Sequence, residues 1–184
     1  ALNNPQNSIR AAMHLVESDK RNTIRLDANG GNSILIVCEP IRENEYIDAI
    51  KSIMPQDKYR IINLNDLLIA FVSEHKTYIE EGFKLLKGSI QQIFKAPEGE
   101  DAPDLFRMIL AEIKACFQDN KIPVLIHSGA LYGSGIDNIH IMENDLVMKA
   151  PWPLIILYPA TREQDKLLFL GSRPSSKYRC VVID

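Results

Sequence analysis

Apolar positions along the chain fall into two kinds of run. Short continuous blocks read as strands buried on both faces, and stretches in which apolar residues recur every three or four positions read as helices with one face on a core. Ile9, Ala12, Met13 and Val16 predict a short amphipathic helix. A connector from Asp27 to Asn32, carrying Gly30 and Gly31, leads into a strand from Ser33 to Cys38 that Pro40 ends. Tyr46, Ile47, Ile50 and Met54 predict a helix stopped by Pro55, and Tyr59 to Leu64 a second strand. Asn65 and Asp66 stand where they would cap a short helix through Leu67, Leu68, Ile69 and Phe71. Ile79, Phe83, Leu86, Ile90 and Ile93 then form one stripe on a long helix, a face expected to pack on the domain.

The acidic segment from Pro97 to Pro103 reads as a solvated loop. Leu105, Phe106, Ile109, Leu110, Ile113 and Phe117 predict the next helix, with Asp101 or Asp104 near its positive end. The last third is strand-rich: Pro123 to His127, Pro153 to Tyr158, Lys166 to Leu170 and Tyr178 to Ile183. Ile139, Ile141, Met142, Leu146 and Val147 suggest a short helix or irregular cover between the first two. The turn residues from Gly171 to Ser176 predict that the final pair closes as a hairpin. Alternating elements of this kind imply an α/β three-layer sandwich with a mostly parallel sheet, degenerate P-loop-like in outline, and an antiparallel hairpin at its C-terminal edge. The 184 residues are read as a single domain, 1–184.

Composition narrows the function classes. A formal charge of -3 and a pI near 5.8 argue against broad binding to nucleic acid, which needs a strongly basic face. Cys38, Cys116 and Cys180 are far apart, odd in number and outside any C-x-x-C pair, so free thiols in a reducing compartment are expected. No apolar run approaches the ~18 to 20 residues that span a bilayer. The start, Ala1 to Pro5, has no charged or apolar leader pattern, so the expected location is cytoplasmic.

The stretch from Val124 to Gly135, an apolar run breaking into a glycine-rich loop, raises the question of phosphate binding. A phosphate loop, G-x-x-x-x-G-K-[ST], surrounds phosphates with backbone N–H groups, neutralises them with lysine and holds magnesium with a hydroxyl. It follows the first strand, and there this chain has Cys38 to Glu43, without glycine or lysine and with an acid at Glu39. The later loop has Gly129, Gly133 and Gly135 at the wrong spacing and no lysine, so a tight turn at a strand end is the plainer meaning. Strand ends of α/β sheets are nevertheless where pockets form, which makes His127, Ser128, Gly129 and Gly133 the candidate ligand-binding residues.

No catalytic set stands out. His127 and Ser128 are neighbours on a strand and point to opposite faces, and the four histidines show no ligand spacing. Neither a metal nor another cofactor is implied. Arg173, Lys177 and Arg179 form a small basic group around Tyr178, with Lys177 and Arg179 on one side of the expected strand. With the strand-end aromatics Tyr132 and Tyr158, they make up the candidate partner-binding residues.

Four segments of the C-terminal third carry a resemblance: Ile122 to Tyr132, Pro153 to Pro159, Leu168 to Gly171, and Lys177 to Arg179. In order and spacing they resemble the BrxB-like family of bacteriophage-exclusion (BREX) defence systems. That family shows a strand entering a G-x-L-aromatic turn, then P-L-V-x-x-Y-P-G, an L-F strand and a Y-Y-R-A-F ending. Ala160, Lys177 and the pair Cys180-Val181 depart from that pattern. The resemblance implies a non-enzymatic component of a defence complex, working beside an ATPase, a phosphatase-like protein and a DNA methyltransferase. The alternative is a nucleotide- or phosphate-binding regulator, or weak hydrolase, using the loop from Ser128 to Gly135.

Overall fold

The computed structural model describes residues 4–85, 91–163, 166–170, 173–174 and 178–184. Five strands run parallel: β1 (Ser33–Cys38), β2 (Tyr59–Asn63), β3 (Ile122–Ile126), β4 (Leu154–Glu163) and, after two short strands, β7 (Val181–Ile183). Their order across the sheet is β2-β3-β4-β1-β7. The two short strands are β5 (Lys166–Phe169), antiparallel to the far end of β4, and β6 (Arg173–Pro174), antiparallel to β5.

Strand order decides the layers. β1 connects to β2 across two strands in one direction, whereas β2, β3 and β4 step back in the other. Right-handed crossovers therefore put the intervening helices on opposite faces. One face carries α1 (Pro5–Glu17) and α3 (Glu43–Ile53), packed on Ile34, Ile36, Val124 and Leu157. The other carries α4 (Leu64–Glu74), α5 (Lys76–Leu85), α6 (Gln91–Phe94), α7 (Leu105–Gln118), α8 (Asn138–Met142) and α9 (Asp145–Met148), over Leu35, Val37, Leu125 and Ile156. β1 and β3, buried at every position, supply both cores by simple alternation. The result is a three-layer α/β sandwich with a mostly parallel sheet. Among the described residues no helix is long and apolar enough to cross a membrane.

Several local expectations change in detail. α4 starts at Leu64 and its cap is Asn63, whose Oδ1 accepts from the Asn65 and Asp66 amides at 3.0 and 3.2 Å. The expected long helix is represented by α5 and α6, with Ile79 and Ile93 buried but Phe83 47% exposed; Leu86 and Ile90 lie outside the described residues. Asp104 caps α7 and also accepts the Ala96 amide at 2.6 Å, which ties down the loop before it.

The C-terminal pairing differs more. An antiparallel pair is present, but it joins β4 to β5, because β4 runs on beyond Tyr158 to Glu163 and the chain folds back on it. β7 instead lies parallel beside β1, with Ile34 opposite Val181 and Ile36 opposite Ile183. β1 is buried at every position, and β7 closes the side that β4 leaves open. On the way to β7 the chain crosses Gly31 so closely that a Cβ there would lie 2.7 Å from the Arg179 carbonyl carbon.

Before β4, a polar clasp holds the chain. Buried Asn32 donates through Nδ2 to the Val147 and Trp152 carbonyls (3.0 and 3.1 Å), and its own carbonyl accepts from Leu154 N at 3.0 Å. Arg25, in the short helix α2 (Ile24–Asp27), adds hydrogen bonds to the Met148 and Ala150 carbonyls.

Candidate functional site

The carboxyl ends of β1, β2 and β3 open onto one crevice, the place where α/β sheets take ligands. After β1, Glu39 and a 3₁₀ turn (Pro40–Arg42) lead to Glu43, the first residue of α3. After β3, His127 adopts a left-handed conformation (φ 57°, ψ 41°) before a second 3₁₀ turn, Ser128–Leu131. That backbone state costs a non-glycine residue of order 1 kcal/mol or more, and it persists where surrounding structure over-determines it.

The two turns bring an acid and an imidazole together. His127 Nδ1 lies 3.3 Å from Glu43 Oε1, with the side chains 34% and 18% exposed. They line a pocket of about 290 Å³ with Asn65, Gly129, Ala130 and Leu170. Burial pushes the Glu43 carboxyl above its ordinary range, and His127 draws it only part of the way back. Glu43 Oε2 is buried with no hydrogen-bond partner among the described residues. Nearby, burial, then the Glu43 charge, push the Cys38 thiol up to about 12, so it stays protonated near neutrality and is a poor nucleophile.

The position of Glu43 bears on the phosphate question. The start of a helix after a strand attracts negative charge through unpaired N–H groups and the helix dipole. Here the chain supplies its own carboxylate at α3, and Asn63 Oδ1 takes two amides at the start of α4. The adjacent Arg42 is bound to Glu45 at 3.0 Å and lies over the Tyr46 ring.

The glycine loop turns inward as well. Ala130 N donates to His127 O, Tyr132 N to Gly129 O, Ser134 N to Leu131 O and Ile136 N to Ser134 Oγ, all at 3.0–3.1 Å. Ser128 is fully buried and its Oγ donates to the Leu157 carbonyl at 3.3 Å, so it is not available as a nucleophile or ligand contact. Gly129 lines the pocket, where a Cβ would press Leu170 at 3.1 Å. Gly133 has open space around it and a φ of +81°; the turn, rather than a ligand, accounts for it.

Of the expected partner contacts, Tyr132 is 56% exposed. Tyr158 is fully buried, stacked on Phe169 at 5.0 Å with its hydroxyl 3.2 Å from that of Tyr178, and this corrects its reading as a surface anchor. Arg179 is exposed but bound to Glu143 at 2.8 Å. The expected alternation of Lys177 and Arg179 does not apply at Arg179, because the strand begins only at Val181. Lys177 and the Arg173 side chain lie outside the described residues.

Sequence reasoning missed Glu43 and Asn65. The available signal was a carboxylate at the first turn of the helix after β1, where a phosphate loop's groups are otherwise sought. Chemically, a carboxylate holding an imidazole through Nδ1 leaves Nε2 to exchange a proton with whatever enters the pocket. No activated hydroxyl or thiol stands beside it among the described residues. Nor do three His, Cys, Asp or Glu side chains gather there as a metal-ligand set. Compared with known proteins, the chain matches no family model, no curated protein and no solved structure.

The raised Glu43 carboxyl makes a signed prediction. Between its unfolded and native pKa values the folded chain binds more protons than the unfolded one, so its ionisation lowers stability as pH rises. Glu43→Gln is expected to gain stability relative to the unaltered chain as pH climbs from the ordinary 4.5 through the raised native value, and to keep that gain above it. Paired urea melts across this range test it; a difference between the two proteins that does not change with pH refutes the assignment.

Proposed function

We propose that the chain is a non-enzymatic adaptor on a degenerate P-loop-like scaffold, a cytoplasmic component of a phage-exclusion complex beside an ATPase, a phosphatase-like protein and a DNA methyltransferase. The observation that carries this reading is Glu43, a carboxylate standing where a nucleotide-binding protein leaves helix amides and a cation open for phosphate. The segments behind the BrxB-like resemblance support it in a second way, because they meet one another. Ser128 bonds to Leu157, Gly129 admits Leu170, and Tyr158 packs between Phe169 and Tyr178. These are packing contacts, so the motifs specify a scaffold rather than a reaction.

Such a scaffold offers partners its carboxyl edge. Ile41, 90% exposed, stands on the turn leaving β1, and Tyr132, 56% exposed, follows the turn leaving β3. Exposed apolar and aromatic side chains of this kind serve as interface anchors. Co-purification with the other proteins of a phage-exclusion operon is the test. Ile41→Ser with Tyr132→Ala is expected to reduce the retained partner by about tenfold, with thermal stability unchanged. If every partner is retained, or none is retained even by the unaltered chain, the reading fails.

A second reading rests on the pocket itself: a small ligand, or a nucleotide bound weakly, beside the Glu43–His127 pair. Calorimetry with ATP and GTP decides it. Micromolar binding abolished by a bulky residue at Gly129 would put a regulator in place of the adaptor.

A further inference from the structure

The edge strand β2 carries an interaction surface of its own. β2 pairs with β3 on one side, and among the described residues no strand pairs with it on the other. Ile122 donates to the Lys58 carbonyl at 2.8 Å, so by alternation Arg60 and Ile62 turn their backbone groups towards β3. Ile61 therefore presents its N–H and C=O to the open side, as Tyr59 does its C=O. The Tyr59 amide is already given to Pro55 at 3.0 Å.

Against β2 lies a groove of about 300 Å³, lined by Lys51 and Met54 from the end of α3, by Gln56, by β2 itself and by Lys121, which precedes β3. It lies at the amino end of β2, on a different surface from the Glu43–His127 crevice and independent of the function proposed above. Three cations, Lys51, Arg60 and Lys121, line it. Arg60 is paired with Asp119, and Lys58 close by with Glu17 at 3.0 Å. Lys51 and Lys121 make no ion pair among the described residues.

An open strand edge is a template for another strand, and proteins commonly guard it with charge. Here the guard is cationic, so pairing two copies of this edge would bring like charges face to face. An acidic strand meets the opposite situation. We propose that the β2 edge takes an extended acidic peptide segment of a partner protein, added as a further strand, with its carboxylates on Lys51 and Lys121 and its backbone on Ile61 and Tyr59. Main-chain hydrogen bonds would give affinity and the cations selectivity.

The test uses the full chain and a labelled ten-residue peptide alternating valine and glutamate, followed by fluorescence anisotropy. Binding that weakens with salt is expected, falling about tenfold with Lys51→Glu plus Lys121→Glu. Lys51 is exposed and Lys121 half-buried, and neither holds an ion pair among the described residues, so the variant is expected to fold, which a thermal melt checks. Methylating alternate peptide nitrogens in one register should abolish binding, and in the other register leave it intact. The proposal is overturned if both methylated registers bind alike, if a lysine-for-glutamate peptide binds equally well, or if short duplex DNA competes as strongly as the peptide. It is also overturned if the chain dimerises through this edge and Arg60→Glu disrupts the dimer.

Discussion

Replacing Gly31 by alanine is expected to destabilise the protein by about 3 kcal/mol, at the upper end of what overpacking a tight site costs. The cause is contact rather than backbone conformation. The neighbouring Gly30 has a φ of +90° and its Cβ would meet nothing closer than Arg179 Nη1 at 3.8 Å. At Gly31 the added carbon would lie 2.7 Å from the Arg179 carbonyl carbon and 3.0 Å from its Cβ. Backbone cannot swing aside as the end of a side chain can. The segment before β7 has to lift, and the pairs Ile34 with Val181 and Ile36 with Ile183 come under strain. Urea melts would read the loss, and amide exchange would place it first at Val181 to Ile183. A change below about 0.5 kcal/mol, the range of an ordinary surface substitution, would show that the crossing is looser than described.

Tyr158→Ala is expected to cost about 3 to 5 kcal/mol, as removal of a large buried ring does, whereas Tyr158→Phe should cost only about 1 kcal/mol. The ring holds three segments together. It lies within the buried run of β4, stacks on Phe169 of β5 and meets Tyr178 edge-on at 5.7 Å. Its hydroxyl approaches that of Tyr178, so Tyr158→Phe and Tyr178→Phe should be less than additive when combined, as substitutions sharing one hydrogen bond are. Thermal melts of the four proteins check this. Equal losses for Tyr158→Ala and Tyr158→Phe would move the weight from ring packing to the hydroxyl.

Much of this scaffold was legible in the pattern of residues. β1 stood out because six apolar or small residues sit between a turn and Pro40, and α3 and α7 because their apolar positions keep helical spacing. The partner of β7 was not legible. Three alternating residues say which face is apolar but not which edge of a sheet they join, and the turn chemistry after β5 favoured the nearest strand. Tyr158 was misjudged for a related reason: an aromatic at the end of an apolar run is buried or exposed according to what returns to cover it. The cover here is β5 and Tyr178, both of which come later in the chain and return onto the run. The Glu43–His127 pair was hidden more deeply, because neither residue belongs to a motif and only the crossover connections make their turns neighbours.

The place of β1 has a consequence for how the chain is made. Its two neighbours in the sheet, β4 and β7, are both translated long after it, whereas β2 and β3, which come sooner, lie elsewhere. A nascent chain emerging from the ribosome therefore carries this apolar strand with both hydrogen-bonding sides vacant until residues 154–183 have been added. High contact order of this kind slows folding and leaves sticky intermediates exposed. During synthesis, β1 is the segment on which a chaperone would have to act.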